Sequence, residues 1–128
     1  MDEAAPMTSE AHVEWFHGSP KRLSSLLAGS TVTPVITLAR AFSHKPVNLS
    51  IEVIEDEDHG KRQVRILHDG TKHGYLYRVV VDKPEIDLMQ HPDSYGAPGE
   101  KMLTVQVLPL EFMEEVTFQA VYQYTEEL

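Results

Sequence analysis

Period-two alternation of apolar and polar residues is clearest in the middle of the chain. Leu49 to Ile54 and Gln63 to Leu67 each alternate apolar and polar residues, as strands do. Between them, Asp56-Glu57-Asp58-His59-Gly60-Lys61 has the polar, glycine-containing make-up of a hairpin loop. Asp69-Gly70 marks a second turn, followed by a strong strand from Tyr75 to Val81. Lys83 to Gly99 is punctuated by proline and glycine and reads as a long loop with one helical turn. Two final strands are expected at about Lys101 to Leu108 and Glu115 to Tyr122.

The first third is less regular. Residues 1–12 read as a flexible tail, and Val13 to His17 as a short aromatic strand closed by Gly18 and Pro20. Leu23, Leu26 and Leu27 have helical spacing, which predicts a turn or two of helix over Lys21 to Leu27, ended by Gly29. Thr31 to Thr33 is β-branched and stopped by Pro34, as a short strand entering a turn would be. Thr37 suits the N-cap of a helix from Leu38 to His44, with Leu38, Ala41 and Phe42 on one face and Pro46 ending it. The order of elements is α+β, rich in strand, with two small antiparallel or mixed sheets and short helices in a single domain over residues 13–124.

Composition narrows the function classes. The chain has 128 residues, 41% hydrophobic and 24% charged, the usage of one ordinary globular domain. It has no cysteine, which removes thiol nucleophiles, disulfides and cysteine zinc sites. The acidic N-terminus lacks the features of a signal peptide, and no apolar run would span a membrane, so a cytoplasmic location is expected. Eleven basic residues are scattered among twenty acidic ones, for a net charge of −9. Broad binding to nucleic acid or anionic membrane is disfavoured. A local anion pocket stays open, because backbone amides can hold a phosphate. The dispersed histidines have no metal-ligand spacing, and no phosphate-binding glycine loop or serine-hydrolase elbow is present.

The stretch that carries chemistry is Trp15-Phe16-His17-Gly18-Ser19-Pro20. A histidine ending a buried strand can donate to a ligand hydroxyl; the glycine admits close approach to the backbone; the serine adds a polar contact. On spacing alone, His17 reads more readily as the cap of a strand before an ordinary turn. This stretch resembles the first motif of the His-Tyr-Glu branch of the ADP-ribosyltransferase superfamily. Thr31-Val32-Thr33-Pro34-Val35-Ile36-Thr37-Leu38-Ala39-Arg40-Ala41-Phe42 is similar to the second, as it occurs in small bacterial members such as the rifampin ADP-ribosyltransferases.

The resemblance covers residues 13–45, and over 74–122 only the order of strands. It implies an ADP-ribosyltransferase-like fold and a transferase using NAD as substrate. His17 would bind the adenine-side ribose, the Gly18 backbone would meet the nicotinamide amide, Ser19 would add a contact to NAD, and Thr33 would lie nearby. The family's stacking aromatic falls on Thr31, so a ring would come from Phe42 or from Tyr95. Glu100, after Pro98-Gly99 and before a strand, stands where the family's catalytic carboxylate belongs. A carboxylate there stabilises the oxocarbenium-like centre formed as nicotinamide leaves. Asp82, Asp87 and Asp93 are the alternative candidates for that carboxylate, should the loop fold differently. The acceptor would be a small molecule or a protein. The alternatives are a catalytically degenerate nucleotide- or protein-binding module of the same fold, and a structural domain in which His17 is incidental.

Overall fold

Trp15 and Phe16 are neighbours in sequence, yet each anchors a different apolar core. Side chains alternate sides along a strand, so one strand can serve both. The computed structural model describes residues 13–92 and 101–127. Among them the chain order is β1 (Trp15–Ser19), β2 (Ser25–Leu26), β3 (Thr31–Val32), α1 (Ile36–Phe42), β4 (Leu49–Asp56), β5 (Lys61–His68), β6 (Gly74–Val79), α2 (Pro84–Asp87), β7 (Leu88–Gln90), β8 (Met102–Thr104), β9 (Leu108–Val116) and β10 (Val121–Glu127). The strands form antiparallel sheets in the orders β1-β6-β9-β2, β10-β5-β4 and β3-β8-β7. A single bridge between Phe16 and Thr33 ties the first sheet to the third.

One core packs α1 against Phe16 of β1, Leu76 of β6, Val64 and Ile66 of β5 and Tyr122 of β10. The other gathers Trp15, Val79, Val32, Leu26, Leu88 and Leu108. The helix buries Leu38, Ala39 and Ala41, and its two alanines let it come very close to the strands. A Cβ built on Gly18 would lie 1.9 Å from the Ala39 carbonyl oxygen and 2.7 Å from the Ser43 nitrogen. One built on Gly74 would lie 1.9 Å from Ser43 Oγ. Both glycines are therefore sites of backbone-to-helix contact, where any side chain would displace α1.

The α+β, strand-rich character follows the hydrophobic pattern, and so does the β4–β5 hairpin, whose loop is a 3₁₀ turn at Glu57–His59 closed by Gly60 at φ +64°. Other elements differ from the sequence reading. Lys21 to Leu27 forms no helix: Ser25–Leu26 pairs with β9, and the N–H of Leu23 donates to Tyr77 Oη at 2.7 Å. A neighbouring strand edge and a buried tyrosine outweigh the local leucine spacing. The helix expected at Leu38 starts at Ile36; Thr37 lies inside it, and Val35 is its N-cap with no side-chain bond. The last two expected strands are displaced. β8 stops at Thr104, β9 runs from Leu108 to Val116 and β10 from Val121 to Glu127. Among the described residues the sheets are all antiparallel and number three, where two were expected. The tail at 1–12 and the end of the long loop at 93–99 lie outside the described residues.

Gly18→Ala forces a methyl group onto helix backbone that cannot rotate away, an overpacking change that costs about 1–3 kcal/mol or more. Gly29→Ala meets no atom within 4 Å and carries only the strain of its φ of +84°, about 1 kcal/mol. Urea denaturation of the two variants should rank them in that order; equal losses would mean that α1 does not rest on β1.

Candidate functional site

Beyond the Phe16–Thr33 bridge, β1 and β3 part. Phe16 gives its N–H to Thr33 O (2.8 Å) and accepts the Thr33 N–H (3.0 Å), so both its backbone groups point toward β3. Alternation turns the N–H and C=O of Gly18 the same way. No backbone bond of Gly18 on that side occurs among the described residues. The opening is a cleft of about 310 Å³, at the lower end of the size that holds a small ligand. His17, Gly18 and Thr31 form its strand wall, and Phe42 looks in from the end of α1. Lys45 and Pro46 follow from the corner after the helix, and His91 and Lys101 from the end of the β7–β8 ladder.

His17 has one ring nitrogen committed. Its Nδ1–H donates to the Thr31 carbonyl at 2.7 Å, since a carbonyl can only accept. Burial pushes the imidazole below its ordinary pKa, and the bond to Thr31 opposes that only in part. The neutral ring thus offers Nε2 as an acceptor, so toward a ligand hydroxyl it accepts where the sequence reading had it donate.

The corner that carries Lys45 and Pro46 is braced from the turn after β5. The Asp69 carboxylate accepts the N–H groups of Val47 (2.8 Å) and Asn48 (2.9 Å) and the Asn48 Nδ2 (2.9 Å). These bonds hold its carboxyl below the usual carboxylate range. His44 is fully buried beside the corner. Its Nδ1–H donates to Lys72 O at 2.7 Å, and its Nε2 accepts from Tyr122 Oη at 2.6 Å. The ring stacks on His68 at 5.3 Å between centroids. Burial lowers the His44 pKa; the Lys72 bond raises it, and His68 and His73 lower it further.

Of the residues singled out in the sequence, His17, Gly18, Thr31 and Phe42 converge on the cleft. Ser19 is buried, and its Oγ accepts the Lys21 N–H at 3.1 Å, closing the turn. Thr33 is buried too, and its Oγ1 accepts the Val35 N–H at 3.0 Å at the start of α1. Neither is among the residues that line the cleft. Glu100, Asp93 and Tyr95 lie outside the described residues. Asp87 is buried, accepts the N–H groups of Asp82 and Lys83 and the Gln106 amide, and staples its own loop. Lys45, Pro46, His91 and Lys101 were not singled out; only tertiary folding brings these separate segments to one place. Comparison with protein-family models, curated protein sequences and solved structures returns no significant match to this chain.

The folded chain binds protons at His17 and His44 less readily than the unfolded chain, where imidazole titrates near 6.5. Their contribution is present above that pH, and stability falls as pH drops below it toward the folded values. The urea midpoint at pH 5.5 should therefore lie below that at pH 7.5, with a shallower dependence in His44→Gln. An identical slope in that variant would remove His44 as a source of the effect.

Proposed function

We propose that the chain is an ADP-ribosyltransferase-like protein that binds NAD in this cleft and transfers the ADP-ribose unit to a small-molecule or protein acceptor. The observation that carries the reading is the Gly18 backbone, turned into the notch between β1 and β3 beside His17 and Phe42. One residue's N–H and C=O make a donor–acceptor pair complementary to a primary carboxamide, the group nicotinamide carries. His17 Nε2 accepts a hydrogen bond from a ribose hydroxyl, and the Phe42 ring supplies the apolar face that Thr31 cannot.

Transfer breaks the glycosidic C–N bond. The bonding pair leaves with nicotinamide, and the positive charge on the ribose is met by the acceptor's nucleophile, whose proton goes to a base. Electrostatic support for that charge is the role of a carboxylate, and Glu100 is the residue assigned to it, on sequence resemblance alone. A second reading, the same fold binding a nucleotide or protein without turnover, is favoured by Thr31 at the family's stacking position.

Millimolar NAD at 100 times its dissociation constant should stabilise the chain by about 2.7 kcal/mol, seen as a raised melting midpoint. The shift should vanish in His17→Ala and shrink in Phe42→Ala. Nicotinamide release should be lost in Glu100→Gln with NAD binding kept; binding without release in the parent chain selects the second reading. No shift with NAD sinks both forms of the NAD assignment.

A further inference from the structure

The basic residues of this acidic chain are not distributed alike. Arg22, Arg40, Arg62, Arg65 and Arg78, all its arginines, each hold a glutamate. Lys45 and Lys101 face the cleft, and among the described residues neither has an ion pair and no carboxylate lines the cleft. His91 stands next to Lys101, its N–H donating to the Lys101 carbonyl at 3.4 Å as the β7–β8 ladder ends.

The backbone at Lys45 supplies an independent observation. Lys45 ends the helical segment with φ +56°, and among the described residues it is the non-glycine residue with positive φ. Its N–H donates to Phe42 O at 3.0 Å. This left-handed position past a helix end is where glycine is most at ease, because a Cβ there crowds the following carbonyl. A lysine at that place carries backbone strain that a glycine would relieve, and Lys45 is one of the residues that line the cleft. The Asp69 bonds to Val47 and Asn48 hold the next residues in place.

We propose that Lys45 and Lys101 form an anion subsite of the cleft that takes the diphosphate of a nucleotide. The two lysines come from segments far apart in sequence and line one opening of about 310 Å³. Each carries three donors and no acceptor, which suits phosphate oxygens as point charges. Beside them lie the neutral His17 acceptor and the Phe42 ring, so the cleft has a charged part and an apolar, uncharged part. This division fits a nucleoside diphosphate better than free phosphate. That the nucleotide is NAD rests on the reading of the preceding subsection; the anion subsite does not.

Isothermal titration of the full chain with ADP, inorganic pyrophosphate and adenosine tests the assignment, using Lys45→Gln, Lys101→Gln, Lys45→Gly and the control Lys61→Gln on the β4–β5 hairpin. ADP should bind more tightly than adenosine, and each glutamine variant in the cleft should weaken ADP and pyrophosphate by about tenfold or more. Lys61→Gln should leave both unchanged. Lys45→Gly should lose the same affinity while its melting midpoint stays level or rises, which separates a binding role from a structural one. The subsite is overturned if ADP binds no better than adenosine, if pyrophosphate and ADP do not bind, or if the cleft variants bind them as the parent does. Lysine-dependent pyrophosphate binding with no NAD binding would leave the subsite standing and end the NAD reading. NAD binding that needs His17 and ignores both lysines would do the reverse.

Discussion

The seating of α1 on bare backbone is the contact on which the rest of the site depends. Seven residues make a helix too short to hold together on its own, and no side chain caps its start. What fixes it is the strand surface: Gly18 and Gly74 leave no room between strand and helix, and Ser43 is buried in the gap. Arg40 adds a two-point contact to Glu114 of β9, Nε to Oε2 at 3.1 Å and Nη2 to Oε1 at 3.2 Å. Once the helix axis is fixed, Phe42, Lys45 and Pro46 have little freedom about where they arrive, and they arrive at the notch between β1 and β3.

The corner after the helix is held by polar groups whose roles interlock. The carbonyl of Lys72 fixes the proton of His44 on Nδ1, which makes Nε2 an acceptor and Tyr122 its donor. The stacked His68 is fixed the other way round: its Nδ1 accepts the Gly70 N–H, and its Nε2–H donates to Gln119 O. The fully buried His44 ring is satisfied only when neutral, which suits its burial. A net charge of −9 does not prevent a basic cleft in the same molecule. Glu14, Glu52, Glu111, Glu114, Glu115 and Glu126 pair with arginines, and at physiological ionic strength an exposed charge is screened beyond about 8 Å.

Local pattern carried much of the strand half of the fold. The β4–β5 hairpin was legible because alternation met a polar turn ending in glycine, and β6 because its run sets two tyrosines around an apolar residue and leads into three valines. Elements set by distant partners were not legible. Ser25 and Leu26 become strand only because Pro109 and Leu108 lie opposite them. The division of 101–127 into β8, β9 and β10 follows from three different partners, β7, β6 and β5. In the site, His17, Gly18, Thr31 and Phe42 could be named from two sequence segments because each segment carries a local motif. Lys45 and Lys101 could not, since a lysine before a proline or after a glutamate has no local pattern that separates a cleft residue from solvated surface.

Thr31 looked like a gap in the site, and its backbone gives that position another meaning. Its carbonyl holds the Nδ1 proton of His17, so the residue sets the tautomer and orientation of the histidine whatever side chain it carries. The aromatic ring that borders the cleft comes instead from α1, through Phe42. Moving a ring from a strand to a helix changes what the site depends on. A ring on β3 would be placed by strand pairing alone, whereas Phe42 is placed by the contact between α1 and Gly18. The same glycine then turns its backbone groups toward the cleft and fixes the depth of the helix beside it. The shape of the cleft and the stability of the fold therefore meet at Gly18, and a substitution there cannot alter one without disturbing the other.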